Sequence, residues 1–413
     1  MLRWAALATV LTLATLTMTA EAQEDRHALG KPICRSLASA VDAASKDGQP
    51  VFLASYQPGP FEGAVPLPLR SSAFSYDNAL AVIALVSCGA LDQARRIGEA
   101  FVHAIDHDRG FRDGRIRNAY RAGIVQPVVL LPGWWEPAIK GWAEDGYQNG
   151  TATGNVAWVA LALLTLADTT DDARYLAATG TLMNWVKAHA AGTAGAGVAG
   201  GVDGFDPVQT RLAWKSTEHN LDVYAVTLWY GRATGDQRFA GLMRSSRAFL
   251  DEAFLEQPGC FALGREPDGR MNGSVRVALD TQLWPVLAVP DGPPAWRRAL
   301  ACAETRMAVA GGFDFNEDRD GLWVEGTAQA ALTYQVVGQQ KSADELLNGL
   351  AAELAPSGWL YATREERLTT GLRIGPGSTL EDFFYFRRPH LGATAWAALA
   401  ANRWNPFISR RFG

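Results

Sequence analysis

The sequence lacks an excess of positive charge. Its 413 residues include 38 lysines and arginines against 43 aspartates and glutamates, which gives a formal net charge of −5. Binding to a phosphate backbone requires a concentrated basic surface. We therefore expect no nucleic acid among the partners of this protein.

Long apolar runs are also scarce, and the clearest one lies at the N-terminus. Arg3 is followed by an apolar stretch from Trp4 to Thr19 and by the small-x-small pattern Ala20-Glu21-Ala22. This order predicts a signal peptide over residues 1–22. No twin arginine is present, and the residue after the predicted cleavage site is Gln23 rather than cysteine. We expect a periplasmic or extracellular protein with no stable membrane insertion after signal cleavage.

Cysteines are few, and none belongs to a C-x-x-C motif or a His/Cys cluster typical of a metal site. We accordingly expect no metal and no cofactor. An even number of cysteines in an exported protein favours disulfides, and four cysteines allow three pairings. Proximity in the sequence favours Cys34 with Cys88 and Cys260 with Cys302.

Polar and ionisable residues are concentrated in the stretch from Trp214 to Tyr224, which carries Glu218, His219, Asn220 and Asp222. A Ser/Thr pair stands before a long apolar run with an acid in its first turn, which predicts the start of a helix. Residues 218 and 222 share a helix face, whereas 219 and 220 point in other directions. A helix cap needs only one such group, so this stretch predicts either a cap or the mouth of a functional site.

Helical segments rich in alanine and leucine come in pairs along the chain. The links within pairs are short, and the links between pairs are long and rich in Gly, Asp and aromatic residues. The predicted pairs are 77–86 with 91–105, 155–166 with 173–190, 218–230 with 237–254, 281–289 with 294–307, 326–337 with 342–354, and 391–401 with 34–44. Six helical hairpins, the last closing on the first, predict an all-α (α/α)6 barrel that forms a single domain over residues 23–413.

The long links contain Asp-Gly pairs, which favour tight β-turns. These pairs predict β-hairpins at 110–116, 263–271 and 313–323. Such hairpins would stand around the mouth of the ring.

This architecture resembles the six-hairpin, (α/α)6-barrel glycoside hydrolases and their relatives. In that group, acidic residues at the N-terminal ends of inner helices recur, as in Tyr76-Asp77-Asn78-Ala79-Leu80. The resemblance covers the whole mature chain and rests on topology, and it does not identify a particular family. It implies a carbohydrate substrate held in a cleft across the mouth of the barrel.

The first turns of the predicted inner helices carry a convergent set of polar groups. If the ring closes, these groups face one funnel. Any single acid among them could be a helix cap, but four acids and two histidines at equivalent positions favour a joint active site. The set is Tyr76, Asp77, Asn78, Asn155, Glu218, His219, Asn220, Asp280, Glu325 and His390.

Glycoside hydrolysis requires one carboxylic acid that protonates the leaving oxygen and one carboxylate that activates water or attacks carbon. Crowding several acids in a partly enclosed cleft raises the pKa of at least one of them. We assign the acid to Glu218, which Asp222 and His219 could tune. We assign the base to Asp77, with Asp280 as the second choice. Glu325 could replace either.

Aromatic residues near the mouth would supply faces for sugar rings. Trp134 and Trp135 lie in a loop bounded by Pro and Gly, where either a stacking platform or a local core is consistent with the sequence. Trp214 and Trp323 precede predicted inner helices. The predicted substrate-binding set is Tyr76, Asn78, Trp134, Trp135, Asn155, Trp214, His219, Asn220, Asp222, Trp323 and His390.

Other functions remain open at this point. A polysaccharide lyase would use His or Tyr as its base, and the arginines between Arg109 and Arg121 would suit its anionic substrate, although they could instead pair with local aspartates. Four mouth acids would repel a uronate chain. An epimerase would also use histidines at helix mouths, whereas a non-catalytic carbohydrate-binding protein would not need the acids. The sequence does not predict the oligomeric state.

Overall fold

The computed structural model describes residues 27–61, 63–125, 127–192, 194–272, 277–375, 378, 380–408 and 410–411, so the predicted signal peptide lies outside the described residues. Twelve helices of nine or more residues occur in the described part. They are α1 (Gly30–Ala44), α2 (Ser75–Ser87), α3 (Leu91–Asp106), α4 (Thr153–Thr170), α5 (Ala173–His189), α6 (Thr217–Thr234), α7 (Ala240–Ala253), α8 (Leu279–Ala288), α9 (Arg298–Arg306), α10 (Val324–Val336), α11 (Gln340–Leu350) and α12 (Leu391–Ala401).

The even-numbered helices form a closed inner ring. Each contacts the next even-numbered helix, and α12 contacts α2. The odd-numbered helices pack outside, with α3, α5, α7, α9 and α11 each against the inner helix that precedes it and α1 against α12. The predicted (α/α)6 arrangement, including its closure by the N-terminal helix, is confirmed.

Burial explains why the helices sort into two rings. All residues of α12 are buried, as expected of a helix enclosed on every side. The outer helix α11 buries Ala343, Leu347 and Leu350, which follow one stripe at helical spacing. None of the described helices is long and apolar enough to cross a membrane.

Two disulfides tie outer elements to the barrel. Cys34 of α1 is bonded to Cys88 at the C-terminal end of α2, and Cys260 is bonded to Cys302 of α9. The first bond fastens the N-terminal helix at the place where the ring closes. Both predicted pairings are confirmed, and disulfides are expected in an oxidising compartment.

Short antiparallel strands occupy the links between hairpins. The strands are β1 (Val51–Phe52), β2 (Ser72–Phe74), β3 (Ala119–Arg121), β4 (Gly123–Ile124), β5 (Trp134–Glu136), β6 (Gly141–Ala143), β7 (Thr151–Ala152), β8 (Gly201–Asp203), β9 (Thr210–Leu212), β10 (Lys215–Ser216), β11 (Phe254–Leu255), β12 (Cys260–Phe261), β13 (Gly264–Arg265), β14 (Ala308–Val309), β15 (Gly312–Phe313), β16 (Arg367–Thr369), β17 (Phe384–Phe386), β18 (Trp404–Asn405) and β19 (Arg410–Arg411). One sheet has three strands in the order β7-β8-β9, and the other strands pair as β1–β4, β2–β3, β5–β6, β10–β13, β11–β12, β14–β15, β16–β17 and β18–β19.

The Asp-Gly pairs form only one of the three predicted hairpin turns. Around Gly269 the chain folds back so that Arg265 bridges to Met271. Residues 110–116 contain no strand, because the backbone amides of Gly110, Phe111 and Arg115 donate to the side chains of Asp108 and Asp113 instead of to a second strand. In the third segment, β15 pairs with β14 rather than with the residues after Gly321.

A buried amide or hydroxyl group fastens these links to the inner helices. The side chain of Asn78 accepts a hydrogen bond from Leu53 N at 2.8 Å and donates one to Leu53 O at 3.0 Å. Equivalent bonds to the backbone are made by Asn220 with Val198, Gln282 with Phe261, Thr327 with Phe313 and Thr394 with Leu360. Mouth loops are thereby held against the first turns of five of the six inner helices.

Candidate active site

Acidic side chains from four inner helices meet at the mouth of the ring. Asp77, Asp280, Glu325 and Asp222 are at most 6% exposed. Glu218 is the partly exposed member of the group. A carboxyl that protonates a bound ligand must be reachable, so this difference in exposure separates Glu218 from the other mouth acids.

The pKa values of Glu218, Asp222 and Asp280 are all raised. Burial and the charges of Asp280 and Glu325 raise the pKa of Glu218 well above its ordinary value. Burial also raises the pKa of Asp280 to about 6, although the carboxylate accepts a hydrogen bond from Thr281 N at 2.6 Å. Asp222, one helical turn after Glu218, has both oxygens buried without a hydrogen-bond partner, and burial raises its pKa well above the ordinary range. Burial and mutual repulsion thus favour the protonated form of Glu218 and Asp222, while Asp280 with its pKa of about 6 is mostly ionised at neutral pH.

Asp77, His390 and Glu325 form the opposite part of the mouth. His390 Nε2 lies 3.3 Å from Asp77 Oδ2, and His390 Nδ1 lies 3.6 Å from Glu325 Oε2. Burial lowers the pKa of His390, but the nearby charges of Asp77 and Glu325 outweigh burial, so that the net change is upward. The imidazole therefore stands between two carboxyl groups from different helices.

Glu325 is further fixed by a chain of hydrogen bonds. Trp396 Nε1 donates to the Tyr76 hydroxyl at 2.9 Å, and the Tyr76 hydroxyl donates to Glu325 Oε1 at 2.6 Å. Burial raises the pKa of Glu325 to about 7, His390 lowers it, and Asp77 raises it further. Glu325 is thus held in one position and titrates near neutrality.

The second mouth histidine lies in a different environment. His219 is 8% exposed, and its Nδ1 atom is buried without a hydrogen-bond partner. Burial lowers its pKa to about 4, so it is neutral at neutral pH. Gly154 allows this close approach, because a Cβ atom there would lie 2.5 Å from the imidazole Cδ2. Trp214 lies beside the ring at a centroid distance of 5.3 Å.

Three tyrosines that the sequence analysis did not select also reach the mouth. Tyr56 stacks on His390 at 4.6 Å, and Tyr385 lies 6.1 Å from the same ring. Tyr147 interacts electrostatically with Glu218 and Asp77. All three come from the long links, where helix-start signals do not apply. The aromatic run 383–386 was the one sequence signal that could have identified Tyr385.

Some residues of the predicted substrate-binding set lie away from the mouth surface. Asn78 and Asn220 are fully buried and bind loop backbone, as described above. Trp323 is 2% exposed and packs against Phe315 and Tyr385. His219, Asp222 and His390 are buried beneath the mouth surface. The other five members border open space, because Tyr76, Trp134, Asn155 and Trp214 are partly exposed and Trp135 is 59% exposed.

Nearby acidic side chains form ion pairs with three arginines of the link between Arg109 and Arg121. Arg117 is fully buried and binds both Asp108 and Asp206, at 2.6 Å and 2.8 Å. Arg115 binds Asp113, and Arg109 binds Glu144 and Asp206. These three arginines are therefore used in structural ion pairs, which weakens the support for an anionic substrate.

One group of carboxylates in the described residues is spaced to hold a cation. Asp314, Asp318 and Asp320 offer oxygens that lie within 4.8 Å of one another. Several of these oxygens already accept hydrogen bonds, from the amides of Phe315 and Gly321 and from Thr369. The group lies on the link between β15 and α10, apart from the mouth acids.

Glu325 is expected to make the folded protein less stable as the pH rises. Its pKa is about 7 in the folded state against an ordinary value of 4.5, so the folded state binds more protons between these values and the free energy of unfolding falls across that window. Glu325→Gln removes this dependence. The stability of the variant relative to the wild type should increase by roughly 3 kcal/mol between about pH 4 and about pH 8.

Urea denaturation at a series of pH values measures this difference. Glu345→Gln is the matched control, because Glu345 is exposed on α11 and pairs only with Lys341. A difference between the Glu325 variant and the wild type that stays constant with pH would mean that Glu325 ionises equally in both states.

Comparison with known proteins supports the fold. No protein-family model and no curated protein matches the sequence. Among solved structures, the chain is similar to a glycosidase variant in complex with glucose, with a TM-score of 0.62, 13% identity, and coverage of 91% of this chain and 96% of that chain. A GH76 α-mannanase of Bacteroides thetaiotaomicron has a TM-score of 0.56 at 13% identity, with coverage of 90% and 94%. A sugar epimerase from a ruminal bacterium has a TM-score of 0.60 at 10% identity, with coverage of 93% and 98%.

Proposed function

We propose that this chain, which has the six-hairpin glycosidase-like fold, is a glycoside hydrolase that cleaves O-glycosidic bonds of an oligo- or polysaccharide outside the cytoplasm. The proposal rests on one observation, the difference in exposure and surroundings between Glu218 and Asp77. Glu218 is partly exposed, and burial and neighbouring charges raise its pKa well above the ordinary value, while Asp77 lies across the mouth beside an imidazole. Glycoside hydrolysis requires one carboxyl that donates a proton and a second carboxyl on the other side of the bond, and Glu218 and Asp77 are placed for these roles.

Glu218 is the proton donor in this mechanism. Its carboxylic acid protonates the glycosidic oxygen as the bond to the anomeric carbon breaks, which makes the leaving group a neutral alcohol. Burial, together with the charges of Asp280 and Glu325, raises the pKa of Glu218 and so favours the protonated form that the donor needs. If Asp77 activates water, Glu218 is left as a carboxylate that regains a proton from solvent through its partly exposed side, and Asp77 releases the proton it accepted. If Asp77 attacks the carbon, the Glu218 carboxylate takes a proton from the water that hydrolyses the glycosyl-Asp77 ester, which frees Asp77 and restores the acid form of Glu218.

Asp77 acts on the opposite side of the cleaved bond. Its carboxylate accepts a proton from the attacking water or attacks the anomeric carbon directly, and the hydrogen bond from His390 fixes its orientation. Asp280 is the second choice for this role. Because the pKa of Asp280 is about 6, part of it is protonated near that pH, and a protonated carboxyl cannot act as the base.

The substrate is expected to be a neutral sugar chain. The exposed Trp135 and the partly exposed Trp134 and Trp214 provide apolar faces on which sugar rings can stack. Arg109, Arg115 and Arg117 of the nearby link are occupied by Asp108, Asp113, Glu144 and Asp206, so these three do not offer a site for uronate carboxylates. This occupation also disfavours the lyase alternative.

A mass-spectrometric screen of the purified protein against neutral bacterial and plant polysaccharides tests the proposal. We expect shortened products that carry the mass of one added water per cleavage. Products with an unsaturated uronate would instead indicate β-elimination. Binding without any product, unchanged in a Glu218→Gln variant, would indicate a carbohydrate-binding protein.

An epimerase is the second candidate, favoured by one observation. His219 and His390 lie at the starts of α6 and α12, inner helices that are not neighbours in the ring. Two bases that face a sugar from different sides could exchange a proton at carbon. Both imidazoles are at most 8% exposed, which makes direct contact with a sugar carbon less favourable than contact by Glu218. An isomerised product of unchanged mass would support this alternative.

A further inference from the structure

A buried lysine stands directly before the helix that carries Glu218. Lys215 of β10 is 4% exposed, and its Nζ atom donates to the backbone oxygens of Ala194 at 2.9 Å, Gly195 at 3.1 Å and Ala196 at 2.7 Å. A lysine ammonium has three N–H donors and no acceptor. Three carbonyls from consecutive residues therefore satisfy it completely, which offsets the cost of burying its charge.

The segment that Lys215 holds, residues 194–200, contains neither helix nor strand. In the described part of the chain, no backbone N–H donates to the carbonyls of residues 194–196. Gly195 and Gly197 have φ values of 73° and 89°, a conformation that glycine adopts without strain, and the three carbonyls converge on one point there. Loss of the ammonium would leave these carbonyls without a common partner. Lys215 is thus the anchor that fastens the N-terminal end of the segment to β10.

The C-terminal end of the segment supports the indole of Trp214. A Cβ atom at Gly200 would lie 2.7 Å from Cζ2 and 2.8 Å from Cε2 of Trp214, so the ring rests directly on the backbone at residue 200 and only glycine permits this contact. Gly200 N also donates to Trp214 O at 2.9 Å. The position of the segment therefore sets the position of the indole.

The supported indole lies beside the first turn of α6, which contains Glu218. Trp214 is partly exposed, and its ring centroid lies 5.3 Å from that of His219. The middle of the segment is tied to the same turn, because Val198 N donates to Asn220 Oδ1 at 2.9 Å. This bond and the buried lysine fix the segment at two points. An indole held in this way can offer a constant face to a sugar ring next to Glu218.

We propose that Lys215 is a positioning residue for substrate binding. Its ammonium clamps residues 194–196 to β10 and thereby holds the Trp214 indole as the wall of a sugar subsite next to Glu218. The wall contacts the sugar equally in the ground state and in the transition state, so the clamp contributes to KM and not to kcat. This inference rests on the proposed hydrolase function for its catalytic meaning, whereas the clamp itself can be measured without a substrate.

Steady-state kinetics of Lys215→Met provide the first test. Methionine fills much of the space of the lysine stem but donates no hydrogen bond. We expect KM to rise about tenfold and kcat to stay within about twofold of the wild type, because the change weakens uniform binding. Lys187→Met is the matched control, since Lys187 is exposed in the last turn of α5, and it should leave both constants unaltered. An unchanged KM in Lys215→Met, or a loss confined to kcat, would overturn the proposal.

A double-mutant cycle shows whether the lysine acts through the indole. Trp214→Ala removes the proposed wall and should raise KM at least as much as Lys215→Met does. The two substitutions together should raise KM no further than Trp214→Ala alone, because nothing remains for the clamp to position. Additive increases would overturn the proposal, since they would show that Lys215 affects substrate binding by another route.

Gly200→Ala tests the same coupling without disturbing the lysine, and it serves if Lys215→Met does not fold. The added methyl group would meet the indole and displace it, while the three carbonyls keep their ammonium. We expect KM to rise about tenfold with kcat within about twofold of the wild type. Gly241→Ala is the control, because a Cβ atom at that position of α7 meets open space. Wild-type kinetics in Gly200→Ala would overturn the proposal.

Hydrogen exchange measured by mass spectrometry provides a readout that needs no substrate. The amides of Gly197 and Val198 donate to side chains of the barrel, and loss of the clamp should open these bonds more often. We expect their exchange to be about tenfold faster in Lys215→Met than in the wild type and unchanged in Lys187→Met. Equal exchange in Lys215→Met and the wild type would overturn the proposal even if the enzyme is a hydrolase. Faster exchange in a protein that releases no hydrolytic product would leave the clamp standing and reject the proposed function.

Discussion

Replacing Glu218 by glutamine is expected to lower kcat by roughly 10² to 10⁴-fold, the usual contribution of a general acid. Glutamine preserves the size and hydrogen-bonding reach of the side chain but cannot deliver a proton to the leaving oxygen. KM should change little, because the amide can still contact the bound sugar. Steady-state kinetics on the substrate identified by the product screen measure both constants.

Two controls accompany this variant. Glu345→Gln makes the same chemical change at an exposed position on the outer ring and should leave kcat unaltered. A leaving group with a low pKa needs little protonation, so an aryl glycoside should recover much of the lost rate in Glu218→Gln. A kcat close to that of the wild type on the natural substrate would remove Glu218 from the mechanism and make Glu325 the leading proton donor.

Replacing Arg117 by methionine is expected to lower the free energy of unfolding by about 3–5 kcal/mol, as is typical when one partner of a buried ion pair is removed. Arg117 is fully buried and contacts Asp108 and Asp206. Its loss leaves Asp108, itself 2% exposed, as an uncompensated buried charge. Chemical denaturation at neutral pH measures the change.

The matched control is Arg174→Met, because the Arg174 side chain is 62% exposed and binds Glu99 and Asp172 at the surface. An exposed pair of this kind contributes about 0–1 kcal/mol. Asp108→Asn in the Arg117→Met background should recover part of the lost stability, because it neutralises the stranded charge. Equal losses for Arg117→Met and Arg174→Met would show that the arginine-rich link is not a buried anchor and would reopen its use as an anion-binding surface.

The ring of helices could be predicted from the sequence because its pattern is local. Inner helices such as α12 are apolar on every side, outer helices such as α11 carry one apolar stripe, and the short links leave the two adjacent. Cysteine pairing followed from proximity in the chain. The positions of Asp77, Glu218, Asp280 and Glu325 followed from the same logic, since each begins an inner helix.

The roles of polar residues within a helix start could not be predicted in the same way. Asn78 and Asn220 occupy the same turns as Asp77 and Glu218, yet their amides bind loop backbone. A shift of one residue turns a side chain by about 100° on a helix, and the position of the mouth relative to that turn depends on the whole ring. The sequence identifies the turn but not the side chain that faces the ligand.

The links were the least predictable part of the chain. Asp113-Gly114 carries the sequence signal for a hairpin turn. In the structure Asp113 instead pairs with the buried Arg115, and Asp108 pairs with the buried Arg117. Tyr56, Tyr147 and Tyr385 reach the mouth from three different links through long-range packing. Contacts of this kind depend on residues that are distant in the chain, and no short motif reports them.

Hydrolysis in water enriched in oxygen-18 and deuterium tests the central claim most directly. The account predicts products that carry one oxygen-18 atom at the new reducing end, no deuterium at carbon, and a yield that falls with Glu218→Gln. Deuterium at a sugar carbon in a product of otherwise unchanged composition would contradict it and would transfer the chemistry from Glu218 and Asp77 to His219 and His390.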